Sequence, residues 1–468
     1  MSFQTLGFLL FLVLTTAVCL AVGRKSREAA TFLLTAASAL FCLLGHNGGR
    51  SLAVIAVGCA VTMLAVRHMK KRVFIAVCLY HIAVLVAFKY TAFLTGGAVS
   101  MGWTPIGISF FTFQQLWLLK EVYTGQFVPE AGDSIPLLAL FFPSLTSGPI
   151  LRPTAFFPQL RGEKFLRPEA QDIAAAVYAI CCGTVKKVLL ADPLGGIVNN
   201  GWARIGELTA PSAWLVMLAY TLQLYLDFSG YCDIASGCAR LLGLRLPVNF
   251  DSPYRALSVT NFWKRWHITL TTFLRECVYF PLGGSRKGAV RAYLNILIVF
   301  LVSGIWHGAG WTFIVWGLLH GLAQVIERLL GEKRNILPKA VQWVLTFAFI
   351  NLAWVFFRAP DMASAVELLK AAVAGPLAMP QKWLTDGVLA KEVGAVQILL
   401  PQFKAWLPRI VTGGLVGGGL LASLLPGNTI RRMESFRPNF WQALWLSVLT
   451  AWAVLSFSGV ATFIYSNF

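Results

Sequence analysis

The chain has 468 residues, 57% of them hydrophobic, and its 39 Lys and Arg residues outnumber its 20 Asp and Glu residues, for a formal net charge of +19 at pH 7. This apolar composition excludes a soluble globular protein of this length. The basic excess does not indicate nucleic-acid binding, because the Lys and Arg residues stand in short loops beside apolar segments, as in cytoplasmic loops of membrane proteins.

Apolar segments follow one another along the whole chain, and a membrane-spanning helix needs about 20 mostly apolar residues. The sequence therefore predicts an all-α polytopic membrane protein. The segments at 135–150 and 172–198 contain Pro, Gly or a Lys pair, which is also compatible with re-entrant segments. In chain order, the predicted segments lie near 5–22, 29–44, 52–66, 73–94, 105–122, 135–150, 172–198, 212–231, 290–303, 310–329, 338–357, 409–426 and 440–462.

The basic loops predict how the chain crosses the membrane. Residues 24–27 follow the first segment and residues 67–72 follow the third, so both loops are predicted to be cytoplasmic and the N-terminus extracytoplasmic. Residues 431–437 precede the last segment and place the C-terminus outside as well. The first segment has no positive stretch before its apolar run, so we predict a span and not a cleaved signal peptide.

A histidine stands between two apolar segments, in the run of residues 303–311. At membrane depth an ionisable side chain is costly and usually lines a cavity or a pathway. Gly304, Gly308 and Gly310 permit a helix break and close backbone approach around His307. An imidazole has a pKa near ~6.5, so it can exchange protons at neutral pH. The alternative is a neutral histidine that bonds a backbone carbonyl.

Polar residues crowd the stretch 221–286. Asp227 and Asp233 are six positions apart, about 240° around an ideal helix, so they do not form a paired-carboxylate site. Either residue would orient a histidine or bind an arginine, or both would form structural ion pairs; we favour the ion pairs.

Residues 261–275 predict one helix capped by Ser258 or Thr260. Aromatic residues lie on one side of this helix and Lys264, His267, Thr271 and Arg275 on another. Such a helix usually lies among lipid headgroups. The functional alternative is that Lys264, Arg265 and Arg275 hold an anionic acyl donor near His267.

These residues together resemble the bacterial membrane-bound O-acyltransferases (MBOATs) of the alginate O-acetyltransferase type. The resemblance implies a multi-helix bundle of about 11–13 transmembrane or re-entrant helices around a central tunnel. It implies one membrane domain, with N-terminal helices at 1–100, a core at 101–360, a surface excursion at 361–408 and C-terminal helices at 409–468. The segments that carry the resemblance are 105–114, 141–150, 225–286, 306–308 and 355–359, with the end of the chain.

The resemblance also implies roles for individual residues. His307 would be the catalytic histidine and His267 would occupy a second, less uniform histidine position. Trp306, Asn249 and His320 would bind substrate or support the site, since a hydroxyl needs a general base and an oxyanion needs N–H donors. Tyr465, in the C-terminal run 463–468, would relay the acyl group; the alternative is an interfacial aromatic anchor.

The predicted function is transfer of an acyl group, acetyl in the first place, from a cytoplasmic thioester to a secreted or cell-wall polysaccharide. Acetyl-CoA is the expected donor, with no bound cofactor, and an extracytoplasmic partner protein is expected to complete the transfer. The expected location is the bacterial inner membrane. D-alanyl transfer to a teichoic acid-like polymer is the nearest alternative, and a transporter of a lipid-linked saccharide is another. Transporters of that kind often contain repeats, and none is visible. The nine cysteines have no metal-like spacing and predict no metal site.

Overall fold

The computed structural model describes residues 3–457, apart from the side chain of Asn335, and all regular structure in that range is helical. The first helices form an antiparallel group in which short turns join the first five helices and a longer segment, 95–107, leads to the sixth; Ser26 caps the second helix. These helices are α1 (Leu6–Gly23), α2 (Arg27–Leu43), α3 (Gly48–Arg67), α4 (Lys71–Lys89), α5 (Thr91–Leu94) and α6 (Ile108–Tyr123).

A long buried helix forms the centre of the bundle. It is α11, which contacts α9, α10 and helices from the C-terminal half. Between α9 and α10 the backbone passes through a π-helical segment, Lys186–Ala191, without leaving the helical path. The helices in this part are α7 (Ile135–Leu140), α8 (Pro153–Arg161), α9 (Ala170–Val185), α10 (Asp192–Ala203) and α11 (Ala210–Leu241).

The second half of the chain adds a helical hairpin and an outer group of helices. The hairpin consists of α14 and α15, which pack closely because Gly304 and Gly317 face each other. The helices are α12 (Val259–Trp263), α13 (Ile268–Leu274), α14 (Ala289–His307), α15 (Trp311–Leu330), α16 (Lys339–Arg358), α17 (Met362–Ala374), α18 (Lys382–Thr385), α19 (Ala390–Leu399), α20 (Leu407–Leu424), α21 (Thr429–Glu434) and α22 (Phe440–Leu455).

Eight helices within the described residues are long and apolar enough to cross a membrane. The predicted segment at 135–150 is wrong as a span, because α7 ends after six residues and buried turns follow. The segment at 172–198 is continuous helix through the π-helical turn. The segment at 212–231 was too short, since α11 continues to Leu241 with buried polar residues.

Different residues mark the two ends of the bundle. Ion pairs join Lys120 and Arg152 to Glu276, at 3.3 and 3.1 Å, at one end, which we call the basic end. Lys89 and the C-terminus of α14, with His307, lie at the opposite end, which we call the histidine end. In the predicted surface excursion, α17 packs against α11 through Ala365, Leu368 and Ala372, whereas α19 is mostly exposed.

Candidate active site

His307 is the last residue of α14, and the chain breaks there into an extended turn before α15 begins at Trp311. A side chain at Gly304 would overlap the carbonyl of Phe313, and one at Gly308 would overlap the Phe313 ring. The two glycines therefore let α15 turn back directly beside the histidine. The close approach that the sequence predicted at Gly304 and Gly308 is confirmed.

Aromatic rings surround the His307 imidazole, which is only 2% exposed. The ring of Trp306 lies 4.7 Å from it, that of Trp316 lies 5.1 Å away, and that of Phe357 lies 5.0 Å away. These rings exclude bulk water and lower the local dielectric, which strengthens electrostatic interactions at the imidazole.

Two more histidines lie in the same aromatic layer. The ring of Trp306 lies between His267, at 6.2 Å, and His307. The ring of Trp316 lies between His307 and His320, which is 5.0 Å from it. The three histidines come from separate elements, so the fold brings together residues that the sequence placed in different segments.

His267 is held in an unusual backbone conformation. Its φ is 44°, in the left-handed region, and it separates α12 from α13. The single helix predicted over 261–275 is therefore wrong, although Ser258 does cap the first piece. The cause is Asn249, whose Oδ1 lies 3.2 Å from His267 Nδ1 and accepts from the backbone N–H and the hydroxyl of Thr269 at 3.2 and 2.9 Å.

His320 has a fixed ring orientation. The indole N–H of Trp263 donates to its Nδ1 at 3.2 Å, so that nitrogen is unprotonated. His320 also contacts the same Trp316 ring as His307, and its supporting role stays a prediction.

Lys89 is a site residue that the sequence did not reveal. Its ammonium donates to the carbonyls of Trp306 and His307, the latter at 3.2 Å, and to the Ser109 hydroxyl at 3.3 Å. The neighbouring Tyr90 hydroxyl donates to the Ile305 carbonyl at 2.7 Å. The last carbonyls of a helix lack partners within it and carry partial negative charge, which a cation satisfies. The signal that the sequence offered for this residue was a single lysine at the end of an apolar segment.

Two adjoining cavities lead from the basic end toward this layer. The deeper one, of about 230 Å³, is lined by Trp263, Arg275 and Ser303, among others. Ser303 precedes His307 by one helical turn, a rise of about 6 Å. The outer cavity, of about 510 Å³, contains Arg334. The two cavities share Ile296, Gln324 and Arg328.

The three predicted donor-binding cations divide between different surroundings. Arg275 lines the deeper cavity. Lys264 is exposed, and Arg265 donates to Asn261 Oδ1 and to the Asp251 carbonyl, both at 3.1 Å. Of the three residues that were predicted to hold an anionic donor, only Arg275 therefore lines a cavity that could contain one.

The two carboxylates of α11 form ion pairs. Asp227 lies 2.5 Å from Lys187, and Asp233 lies 2.6 Å from Lys186. The favoured structural interpretation is thus confirmed, and the two carboxylates face different lysines. Within residues 3–457, no group of three His, Cys, Asp or Glu side chains is arranged to hold a metal ion. Tyr465 lies outside the described residues.

Comparison with known proteins assigns this arrangement to a family. Residues 138–366, which include all three histidines and Asn249, match the family model of the membrane-bound O-acyltransferases. This region is an MBOAT domain. The predicted family and all-helical membrane fold are therefore confirmed, and Lys89 lies outside the matched residues.

Individual relatives are similar to this chain over part of their length. The chain is 39% identical over 298 residues to the peptidoglycan O-acetyltransferase of Helicobacter pylori, covering 58% of this chain and 56% of that protein. It is 40% identical over 273 residues to a probable alginate O-acetylase of Pseudomonas aeruginosa, covering 57% and 51%. The teichoic acid D-alanyltransferase of Bacillus subtilis is 26% identical over 273 residues, covering 54% and 68%. The chain thus spans about half the length of the first two relatives.

Proposed function

We propose that this chain is a membrane O-acyltransferase that acetylates a secreted or cell-wall polysaccharide. The observation that carries the proposal is the position of His307. It ends α14 at the histidine end, one turn beyond a cavity that opens toward the basic end. A base at this junction can meet a donor from one side and an acceptor from the other.

In this proposal His307 acts as the general base. It takes the proton of an acceptor hydroxyl as the oxygen attacks the thioester carbonyl, and it returns the proton to the departing sulfur as the C–S bond breaks. The negative oxygen formed on the carbonyl needs N–H donors. The Trp306 indole N–H is buried and makes no hydrogen bond within residues 3–457. It is the donor that we assign to this oxygen.

The proposed donor is acetyl-CoA. Its phosphates would bind at the basic end, where Arg275 and Arg328 line the deeper cavity and Arg334 lines the outer one. Guanidinium groups bind phosphate through charge-assisted hydrogen bonds. We favour acetyl over D-alanyl because the O-acetyltransferase relatives are 37–40% identical to this chain, against 26–27% for the D-alanyltransferases.

The proposed orientation places the basic end in the cytoplasm of a bacterial inner membrane and the histidine end outside. The positive-inside rule supports it, since the loops at 24–27 and 67–72 are basic. We further propose that Tyr465 receives the acetyl group as an ester and passes it to an extracytoplasmic partner protein that acetylates the polymer.

The test compares cells that carry the wild-type chain, His307→Ala or His68→Ala at equal membrane abundance. His68 is an exposed histidine of a basic loop, so its replacement is the matched control. Mass spectrometry of the extracytoplasmic polymers should show loss of acetyl esters with His307→Ala alone. If His307→Ala instead removed D-alanyl esters, the transferred group would be D-alanyl and not acetyl. Unchanged esters with altered polymer export would contradict the enzyme and favour a transporter.

The relay is tested separately with Tyr465→Phe, which retains the ring and removes the hydroxyl. We expect loss of polymer acetylation while membranes still consume acetyl-CoA slowly. Full polymer acetylation by Tyr465→Phe would refute the relay and leave the role of His307 standing.

A further inference from the structure

A third cavity lies away from the histidine layer, at the lateral surface of the bundle. It is a groove of about 540 Å³ between α11, α16 and α20, and its walls are almost entirely apolar. Trp214, Val344 and Met379 line it and are partly exposed, so the groove opens to the surroundings of the bundle. In a membrane those surroundings are lipid.

Two polar groups in this apolar groove lack hydrogen bonds within the described residues. Asn351 is only 3% exposed, and its Oδ1 has no partner. The Nε of Arg409 is also buried without a partner, although its guanidinium lies 5.7 Å from the Trp406 ring. A buried polar atom without a hydrogen-bond partner destabilises the fold. Their presence in one groove therefore points to a ligand that has polar groups.

The helix α20 keeps its side of the groove open. A Cβ added at Gly413, which lines the groove, would meet nothing within 4 Å, and the same holds for Gly414, Gly417 and Gly418. These glycines are therefore not required for helix packing within the described chain. They leave room along the face of α20.

We propose that this groove binds one anionic phospholipid, with an acyl chain along Phe347 and Leu218 and the phosphate at Arg409. We propose an anionic headgroup because Arg409 is the cationic residue among those that line the groove. Arg409 lies in the first turn of α20, so the guanidinium is near an end of the helix, where a headgroup would lie. The groove is large enough for part of an acyl chain, since a cavity of about 150 Å³ holds a benzene ring and this groove is several times larger.

The test uses the purified full chain in detergent, titrated with phosphatidylglycerol or with phosphatidylcholine of the same acyl chains. Native mass spectrometry counts the bound lipids, and thermal unfolding measures stabilisation. The wild-type chain should bind one phosphatidylglycerol in preference to phosphatidylcholine. Arg409→Gln should weaken that binding about tenfold, whereas Arg409→Lys should retain most of it.

Two further variants make the result specific to the groove. Lys404→Gln removes an equal charge from an exposed position nearby and should bind lipid as the wild-type chain does. Ala348→Trp should fill the groove and abolish the bound lipid. Equal binding of both lipids, unchanged binding by Arg409→Gln, or equal losses in Arg409→Gln and Lys404→Gln would overturn the proposal. His307→Ala should retain the lipid, so this proposal and the proposed function fail independently.

Discussion

Replacement of Lys89 tests whether the end of α14 must be held for His307 to act. Lys89→Met removes the ammonium that donates to the carbonyls of Trp306 and His307. Tyr90 still donates to Ile305 and Trp306, so the main loss is the charged donor to the His307 carbonyl. A hydrogen bond from a charged group contributes about 1.5–3 kcal/mol.

If that loss falls on the transition state, kcat should decrease roughly 10- to 150-fold, since about 1.4 kcal/mol corresponds to a tenfold change. The KM for the donor should change little, because Lys89 does not line either donor cavity. The assay measures transfer of acetyl from acetyl-CoA by membranes that contain equal amounts of folded chain. Lys89→Arg retains the charge and should recover much of kcat. A wild-type kcat in Lys89→Met, or a change confined to KM, would refute the positioning role.

Three other substitutions test the site and its support. Gly308→Ala should abolish acetyl transfer in the membrane assay, because its methyl group would overlap Phe313, whereas Gly310→Ala has a nearest neighbour 3.7 Å away and should remain active. Asn249→Leu removes the acceptor beside His267 and should reduce kcat about tenfold in that assay, with Asn249→Asp less affected. Lys187→Met should lower the free energy of unfolding by about 3–5 kcal/mol in detergent, because it removes the lysine that pairs with both Asp227 and Asp192, and adding Asp227→Leu should restore only part of the loss.

The sequence allowed His307 to be singled out as a candidate site residue because its signal is local. His307 and the glycines around it are neighbours in the chain, and their crowding has a direct steric cause at Phe313. Lys89 had no such signal. Its role depends on packing between α4 and the end of α14, and an isolated lysine beside an apolar run also suits a membrane interface.

The region around His267 shows why helical periodicity was insufficient to predict where a helix breaks. Its pattern predicts one amphipathic helix, and Phe262 and Phe273 are indeed buried. The helix breaks because the backbone of Asn249 accepts from the Ile268 N–H at 3.0 Å and its side chain bonds to His267 and Thr269. These bonds come from a distant loop, so no local propensity records them. The break turns His267 inward while leaving Lys264 exposed.

For the two carboxylates of α11, by contrast, their spacing along one helix was enough to exclude a paired-carboxylate site. Asp227 and Asp233 are separated by a rise of about 9 Å on the helix, too far for two carboxylates to share one proton. Their partners Lys186 and Lys187 are adjacent in the chain but begin a π-helical turn, which directs each to a different carboxylate. Lys186 therefore pairs with Asp233, while Lys187 pairs with both Asp227 and Asp192, so the charges compensate each other inside the bundle, as buried charges must. These ion pairs join the π-helical segment that follows α9 to the central helix α11.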